Sequence, residues 1–430
     1  MLHVAGDVTV PGDKSITHRA LMLAAVAEGQ SRLRGLLPGE DCRSTAAVLR
    51  ALGCAVPDPR ADGGEIVVRG RGITAWAMPE GVLDCGNSGT TARLMMGLLA
   101  SRPFAATLTG DASLRGRPMR RITAPLREMG AAFRELGETD RLPVEVLGGP
   151  LASLHHRSPK ASAQIKSAVL LAGLGGGVSV SVTEPLLSRD HTERMLRALG
   201  ERVETEASED GVAIRLAPSG RPLPPLDLAV PGDPSSAAFL VALATLADAG
   251  ELRVRGVGVN PTRTGFLRLA ARMGAMIGLE GEREVGGEPV AELVVRPTRL
   301  RGIVVEPEEV PDSIDEIPVL AVLAARAEGE TRITGASELR VKETDRIAAL
   351  AANLRAIGVD AEELEDGLVV RGSDRPLAGR VRCFGDHRIA MAFGVLGAVS
   401  GGGIEVDDPD VVEVSFPGFW GVLGGLVAGG

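Results

Sequence analysis

Apolar residues recur along this chain in segments that end on an apolar residue followed by glycine. Spacing of i, i+3 and i+4 predicts a helix with one buried face, and the glycine predicts the residue that ends it. Six segments follow this pattern: residues 42–56, 122–133, 192–203, 266–277, 346–361 and, less regularly, 419–426. Their separation of roughly 65–85 residues is too long for a solenoid repeat. We therefore predict six similar units, three in each of two domains.

A second repeat agrees with two domains. Val8–Ser15 (VTVPGDKS) recurs as Leu228–Ser235 (LAVPGDPS), and both copies predict a strand, a turn at Pro-Gly-Asp and a helix start. A chain of 430 residues is also long for a single core. We interpret the two copies as equivalent corners of two similar domains, of which only the first carries a Lys.

The composition argues against several classes of protein. The formal net charge is −9, whereas proteins that bind nucleic acids or membrane surfaces usually have a basic face. The chain has no run of 18 apolar residues, no signal-peptide pattern and no CxxC spacing among its four Cys. We predict a cytoplasmic α/β protein. With no Tyr and few other aromatic residues, its core should consist of Leu, Val, Ala and Ile.

Seven polar loops each lead into a predicted helix: residues 11–19, 85–93, 114–121, 158–167, 314–318, 341–346 and 384–391. Taken singly, each loop is also typical of a segment without a functional role, either a capped helix start or a solvated surface. Helix N-termini attract anions, however, and all four Lys of this Arg-rich chain lie in these loops. If the domains face each other, the helix starts form a cationic cleft for a substrate pair with several negative charges.

Individual loops narrow the chemistry only slightly. Residues 11–15 are not a nucleotide phosphate-binding loop, because Asp13 stands where that motif requires Gly before Lys. Arg117 precedes Pro118, which favours a non-helical backbone that could direct the guanidinium at an anion. His387 is interpreted either as an acid–base group or as a hydrogen-bonded structural residue. No cluster has the spacing of metal ligands.

The motifs together closely resemble the 5-enolpyruvylshikimate-3-phosphate synthase family, from residue 4 to about 425. They are PGDKSITHR, GNSGTTAR, LRGRPM, SAQIKSA, PGDPSSAAF, NPTRTG, IDEIP, VKETDR and GDHRIAMAF, and SRDHTERM, NPTRTG and IDEIP resemble the bacterial class II branch. The resemblance implies an α/β fold of two similar domains, each of three βαβαββ units in an inside-out α/β barrel. It places the crossovers near the Pro-Gly-Asp corners, which gives a domain of residues 1–12 plus 231–430 and an inserted domain of residues 13–230.

The resemblance also implies a reaction in the biosynthesis of chorismate and the aromatic amino acids. The enolpyruvyl group of phosphoenolpyruvate passes to the 5-hydroxyl of shikimate 3-phosphate, and phosphate is released. The family uses no cofactor or metal and is the target of glyphosate. We expect a monomer whose partners are these two substrates, with no nucleic acid or membrane.

Residue roles are carried over from the family motif by motif. Lys14 is expected to contact both substrates, and the residues expected to hold shikimate 3-phosphate are Ser15, Arg19, Ser162, Ala163 (through its backbone), Gln164 and Arg189. The residues expected to line the phosphoenolpyruvate site are Gly89, Arg117, Arg346 and Arg388. Asp315 is the expected proton acceptor from the 5-hydroxyl, and Glu343 is the expected proton donor to the methylene carbon. Lys342 should position the acceptor hydroxyl.

The sequence departs from the family pattern at two positions. Ala163 stands where many members have a second Ser, so one hydroxyl contact is lost. The stretch Val412–Pro417 lacks the Lys that many members carry before the C-terminal Phe-Pro. Gly89 stands where some glyphosate-tolerant members have Ala, so we predict a glyphosate-sensitive enzyme.

Two alternatives remain open from the sequence. The sister enzyme, UDP-N-acetylglucosamine enolpyruvyl transferase, shares fold and chemistry but usually has a Cys near the position of Arg115–Arg117, where this chain has none. A non-catalytic anion-binding domain is disfavoured because both expected acid–base residues are present.

Overall fold

The computed structural model describes residues 1–401 and 403–428, and its contacts divide the chain into two compact units. The terminal unit comprises Met1–Pro11, Pro231–Glu284 and Pro289–Gly430, and the central unit comprises Gly12–Val230 with Val285–Glu288. The described part of each unit has its own apolar core. The chain leaves the terminal unit and returns to it within the two Pro-Gly-Asp corners.

The strands alternate with helices along the chain. They are β1 (Gly6–Thr9), β2 (Glu28–Arg34), β3 (Ile66–Arg71), β4 (Leu83–Asp84), β5 (Ala105–Thr109), β6 (Ala132–Glu135), β7 (Val144–Leu147), β8 (Leu154–Arg157), β9 (Val180–Glu184), β10 (Arg202–Ser208), β11 (Gly211–Ala217), β12 (Asp227–Ala229), β13 (Leu252–Gly258), β14 (Met276–Val285), β15 (Glu288–Arg296), β16 (Val304–Val305), β17 (Glu330–Ile333), β18 (Asp360–Leu364), β19 (Gly367–Arg371), β20 (Gly379–Val381) and β21 (Ile404–Val406).

The α-helices are α1 (Lys14–Val26), α2 (Glu40–Ala51), α3 (Gly89–Leu99), α4 (Ala112–Arg115), α5 (Arg120–Glu128), α6 (Ala163–Gly176), α7 (His191–Ala198), α8 (Pro234–Leu246), α9 (Gly265–Met273), α10 (Ile317–Ala325), α11 (Arg346–Ala356), α12 (His387–Val399) and α13 (Phe419–Ala428). Short 3-10 helices cover Ile73–Ala75, Pro307–Glu309, Ile314–Glu316, Ser337–Val341 and Pro409–Val414.

The sheets repeat one topology. Four sheets have the orders β1-β13-β15-β14, β16-β17-β19-β18, β4-β5-β7-β6 and β8-β9-β11-β10. In each, the first two strands are parallel and the last two form an antiparallel pair beside the second strand. With the helices between the strands this is the predicted βαβαββ unit.

The two remaining units are abbreviated versions of this topology. In the sheet β12-β2-β3, the bridge between Ala55 and Arg69 takes the place of a fourth strand. In the sheet β20-β21, the chain continues into a 3-10 helix and α13 instead of a strand hairpin. The predicted α/β fold is thus confirmed, with four complete units among the described residues.

Three helices in each unit are buried on nearly all sides, namely α1, α3 and α6 in the central unit and α8, α10 and α12 in the terminal unit. A helix that is apolar all round must lie inside a protein, and within each unit these helices pack on one another. Strands such as β3 and β7 alternate buried with more exposed residues, so one face of their sheets is covered by the protein and the other is more exposed. Leu, Val, Ala and Ile dominate both cores, as predicted, and Phe239, Phe416 and Phe419 add edge-to-face ring contacts in the terminal unit.

Five of the six predicted helix ends are confirmed. The glycines that follow these helices have positive φ, as a left-handed helix end requires; they are Gly53, Gly130, Gly200, Gly274 and Gly358. The sixth prediction is wrong, because residues 419–426 lie inside α13. Only small and apolar residues follow Gly424 there, so no polar break ends the helix.

Candidate active site

Several of the polar loops begin a helix through a side-chain cap. Asp13 Oδ1 accepts a hydrogen bond from the Ile16 N–H at 2.9 Å, and Ser88 Oγ accepts one from the Thr91 N–H at 3.1 Å. Asp13, which stands where a nucleotide phosphate-binding loop would require Gly, is therefore the N-terminal cap of α1. A cap satisfies one of the unpaired N–H groups of a helix start and fixes where the next side chains point.

Lys14 is the first residue of α1 and forms an ion pair with Asp41 in the first turn of α2. About a fifth of the Lys14 side chain is exposed (21%). The ammonium is therefore held at the start of two helices, where their dipoles also favour an anion. It keeps an exposed side from which it can contact a substrate.

Arg19 is buried and connects three helices of the central unit. Its Nε donates to Thr192 Oγ1 at 2.7 Å, Nη2 to Ser167 Oγ at 2.8 Å and Nη1 to the carbonyl of Ser15 at 2.9 Å. Burial lowers the pKa of Arg19 to about 10, against the opposing effect of Glu193. Arg19 therefore stays charged at neutral pH, and much of its hydrogen-bonding capacity serves the protein.

Two guanidinium groups lie beside Gly89 at the start of α3. A Cβ added to Gly89 would come within 2.8 Å of Arg93 Nη1 and 3.5 Å of Arg117 Nη1. Arg117 Nη2 donates to Asn87 Oδ1 at 2.7 Å. The absence of a side chain at Gly89 leaves the backbone N–H groups and both cations close together, which suits an anionic ligand.

Arg93 links this cluster to α6 and was missed as a site residue by the sequence assignments. Its Nη1 donates to Gln164 Oε1 at 2.9 Å, and Gln164 Nε2 donates to Thr90 Oγ1 at 3.3 Å. The sequence signals for Arg93 are its place at the end of the GNSGTTAR motif and its position one helical turn after Gly89. The structure thus connects the start of α3 at Gly89 to Gln164 through Arg93.

The other predicted residues of the central unit lie on α6 and before α7. Ser162 Oγ caps α6 by accepting the Ile165 N–H, and Ala163 is the first helical residue. Arg189 is half-buried and close enough to Arg19 that its charge helps to lower the pKa of Arg19.

Arg346 is the centre of the predicted set in the terminal unit. Its side chain is 1% exposed; Nε lies 2.7 Å from Asp386 Oδ2, Nη2 lies 2.7 Å from Glu343 Oε2, and Nη1 lies 3.6 Å from Asp315 Oδ1. Burial alone would lower the pKa of Arg346, but the three carboxylates, Asp386 foremost, hold it above its ordinary value. Both expected acid–base residues are therefore brought to one permanently charged guanidinium.

Two further cations complete this set. Lys342 Nζ lies 4.0 Å from Asp315 Oδ1, and burial lowers the pKa of Lys342 while Asp315 partly offsets that effect. Arg388 Nη1 donates to the backbone carbonyl of Asp315 at 3.0 Å and lies 3.9 Å from Glu316 Oε1. Asp315, Glu343, Lys342, Arg346 and Arg388 are thus assembled in one place within the terminal unit.

Two expectations from the sequence change, and one alternative that it left open gains support. Asp315 and Glu343, which on their own resembled ordinary helix caps, do not have that role: Asp315 lies in a 3-10 helix, and the cap of α11 is Asp345, which accepts the Ala348 N–H. Lys166, one of the four scarce Lys, is completely buried, so it adds no charge to an open cleft. His387 is also buried, as its structural interpretation required.

Other kinds of site find no support in the described part of the chain. No helix in residues 1–401 and 403–428 combines the length and apolar character of a membrane span. Within the same ranges, no group of three or more His, Cys, Asp or Glu side chains is arranged to hold a metal ion.

Comparison with known proteins gives a consistent picture. The family model described as EPSP synthase (3-phosphoshikimate 1-carboxyvinyltransferase) matches residues 2–423. Two relatives with the name 3-phosphoshikimate 1-carboxyvinyltransferase are similar over nearly their whole length. The protein from Desulfitobacterium hafniense is 50% identical, and the match covers 97% of this chain and 94% of that protein. The protein from Aquifex aeolicus is 48% identical, and the match covers 97% of this chain and 96% of that protein.

Solved structures agree with the sequence relatives. The EPSP synthase of Acinetobacter baumannii has a TM-score of 0.86 and 41% identity over 99% of this chain and 96% of its own. The enolpyruvyl transferase NikO of Streptomyces tendae has a TM-score of 0.76 at 19% identity. The match covers 99% of this chain and 95% of NikO, which shows a shared fold. From the family match, the relatives and the fold together, the chain belongs to the EPSP synthase family, and it is a transferase.

Proposed function

We propose that the residues described above carry out the reaction of this family, in which the enolpyruvyl group of phosphoenolpyruvate is transferred to the 5-hydroxyl of shikimate 3-phosphate and phosphate leaves. Most of the residues assigned to shikimate 3-phosphate belong to the central unit, whereas the two proton-transferring residues belong to the terminal unit with Arg346 and Arg388. We also propose that the protein acts in the cytoplasm as a monomer, without a cofactor.

The observation that carries this proposal is the pair of carboxylates on one guanidinium. Glu343 lies 2.7 Å and Asp315 3.6 Å from nitrogens of Arg346, and Lys342 Nζ lies 4.0 Å from Asp315 Oδ1. Enolpyruvyl transfer needs one group to accept a proton and another to donate one, and different surroundings are how two carboxyl groups acquire opposite roles. Asp315 is assigned as the acceptor of the hydroxyl proton, and Glu343 as the donor to the methylene carbon.

The steps follow from these roles. Glu343 donates a proton to the methylene carbon, so that C2 of the enolpyruvyl group becomes electrophilic. The 5-oxygen attacks C2 as Asp315 takes its proton, and a tetrahedral intermediate forms. As the C–O bond to phosphate breaks, the departing phosphate takes up the proton held by Asp315, and the new methyl group returns a proton to Glu343. A vinyl ether and inorganic phosphate remain, and both carboxyl groups regain their starting states. Lys342 positions the 5-hydroxyl, and Arg346 stabilises the negative charge near the reacting atoms.

The binding assignments rest on the anionic character of both substrates. Lys14 is assigned to both substrates, and Arg117, Arg346 and Arg388 to phosphoenolpyruvate, with Gly89 leaving room for it. The residues assigned to shikimate 3-phosphate are Ser15, Arg19, Ser162, Ala163, Gln164 and Arg189. Helix starts with adjacent cations bind phosphate and carboxylate well, and such starts recur in this set.

An acceptor comparison tests the proposal. The purified full-length protein is incubated with phosphoenolpyruvate and either shikimate 3-phosphate or UDP-N-acetylglucosamine, and phosphate release is followed while the product is identified by NMR. We expect phosphate and a vinyl ether with shikimate 3-phosphate alone. Release with the nucleotide sugar would favour the sister activity, and no release with either acceptor would favour a binding domain. Gel filtration at assay concentration checks the monomer.

A further inference from the structure

Lys166 lies in a fully enclosed ionic cluster of the central unit. Its side chain and those of Glu184 and Glu193 are each 0% exposed. Lys166 Nζ lies 2.8 Å from Glu184 Oε1 and 2.8 Å from Glu193 Oε1, and it donates to the carbonyl of Ser188 at 3.0 Å. Two carboxylates and a carbonyl therefore surround the ammonium, and because the side chain is completely buried this Lys does not contact substrate.

Glu184 connects two segments of chain through the same cluster. Its Oε2 accepts the backbone N–H of Ser162 at 3.1 Å, and its Oε1 accepts the backbone N–H of Ser188 at 2.7 Å. The Ser188 hydroxyl lies 2.9 and 2.8 Å from the two carboxylate oxygens. Ser162 caps α6, and Ser188 directly precedes Arg189. One buried carboxylate therefore fixes the distance between two segments that the proposed function assigns to the acceptor.

We propose that Lys166 and Glu184 are positioning residues for shikimate 3-phosphate: their ion pair holds the start of α6 and the Ser188–Arg189 segment in the geometry that receives this substrate. The inference rests on the proposed roles of Ser162, Gln164 and Arg189. Glu184 accepts the Ser162 N–H and Ser162 Oγ accepts the Ile165 N–H, so the N–H groups of Ala163 and Gln164 between them are the ones that an anion at the start of α6 would meet.

The charge balance of the cluster explains why Lys166 is needed. Glu193 is buried beside Glu184 and Lys166, and burial raises the pKa of Glu193 although Lys166 opposes that rise. Without the ammonium, two carboxylates would share a dry site with no cation between them, which is strongly unfavourable. Glu184 would then protonate or turn away, and its bonds to Ser162 and Ser188 would weaken.

A matched pair of variants tests the positioning role. Lys166→Met removes the buried charge at nearly constant volume. Arg202→Met removes a positive charge from a side chain of the same unit that is 75% exposed and belongs to no assigned site. The Michaelis constants for both substrates, kcat and the melting temperature are measured for each. We expect Lys166→Met to raise KM for shikimate 3-phosphate by at least about tenfold, since small misplacements of binding groups have large effects. KM for phosphoenolpyruvate should stay within about twofold, and Arg202→Met should match the wild type.

The outcome is decisive in either direction. A fall in melting temperature with unchanged Michaelis constants, or an equal rise of both constants, would overturn the positioning role. If Lys166→Met does not fold, Ser188→Ala replaces it, because that change removes only the hydroxyl bonds to Glu184. It should give the same selective rise, smaller in size, and its absence would also overturn the inference. Calorimetric binding of shikimate 3-phosphate to each protein gives the same comparison without turnover. An inactive wild type would thus count against the proposed function and leave this test intact.

Discussion

Arg346 and Asp386 form an ion pair of 2.7 Å between Nε and Oδ2, and their side chains are 1% and 0% exposed. Arg346 is the first residue of α11, and Asp386 also accepts the N–H groups of Arg388 and Ile389 at the start of α12. One carboxylate thus joins two helix starts and holds the guanidinium that Glu343 and Asp315 approach.

Removing the charge of Asp386 should therefore reduce both stability and activity. Asp386→Asn can still cap α12, but Arg346 loses its closest counter-charge in a buried site. We expect the free energy of unfolding to fall by up to about 3 kcal/mol, because Glu343 and Asp315 compensate only in part. Guanidinium denaturation followed by circular dichroism measures this. Asp345→Asn is the control, a cap of α11 whose side chain is 39% exposed, and its loss should stay below about 1 kcal/mol. Equal losses would show that the pair has no special role.

Neutral variants of the two proposed acid–base residues should separate binding from chemistry. Asp315→Asn and Glu343→Gln should each lower kcat by at least about 10²-fold, the usual size of a lost acid–base contribution. Shikimate 3-phosphate should still bind within about threefold of the wild-type affinity, as measured by calorimetry. The exposed carboxylate of Glu308 in the same unit supplies the control, Glu308→Gln. Turnover that survives in both site variants would contradict the assignment.

The space beside Gly89 makes a prediction about glyphosate. The wild-type enzyme should be inhibited at micromolar glyphosate in competition with phosphoenolpyruvate, and full activity at millimolar concentration would refute this. In Gly89→Ala the added Cβ would meet Arg93 Nη1 at 2.8 Å and displace that cation. We expect a higher KM for phosphoenolpyruvate and weaker inhibition. Gly81→Ala is the control. It should change neither KM for phosphoenolpyruvate nor the inhibition constant for glyphosate, because a Cβ at Gly81 has no atom within 4 Å.

The buried His18 should make the protein sensitive to mild acid. Its Nδ1 lies 2.7 Å from Thr45 Oγ1, and burial lowers its pKa from 6.5 to about 3. Because the folded pKa lies below the unfolded one, the stabilisation is complete above pH 6.5 and is lost as the pH falls toward 3. Between pH 7.5 and 5 this loss amounts to about 2 kcal/mol.

Comparison with a variant isolates this effect from the titration of carboxylates. The free energy of unfolding of His18→Gln should fall by about 2 kcal/mol less than that of the wild type over the same pH interval. Denaturation curves at pH 7.5, 6 and 5 give the free energy of unfolding at each pH, and from these values its slope against pH. The exposed His3 provides the control, and His3→Gln should follow the wild type. A His18→Gln slope equal to the wild-type slope would contradict the prediction.

Local signals account for the features that the sequence predicted well. A cap such as Asp13 contacts an N–H three residues later, and a glycine such as Gly358 ends a helix through its own backbone. These features depend on neighbours within one turn, so a pattern of a few residues is enough to predict them. The family resemblance supplied the roles of Asp315 and Glu343, whose local sequence had pointed to helix caps.

The features that escaped prediction depend on residues distant in sequence. Glu184 is 18 residues from Lys166, and Gln164 is 71 residues from Arg93. The scarcity of Lys suggested an open cationic surface, but Lys166 is enclosed with two carboxylates. Composition shows that a charge is present, whereas its burial is decided by which strands and helices the fold brings around it.

The position of β1 has a consequence for the order in which the protein folds during synthesis. β1 is synthesised before the Gly12–Val230 stretch, whereas β13, its partner strand among the described residues, begins at Leu252 after that stretch. During synthesis, nearly all of the central unit can therefore fold while β1 still lacks its partner strand. The terminal unit, to which β1 belongs, is therefore expected to finish folding after the central unit.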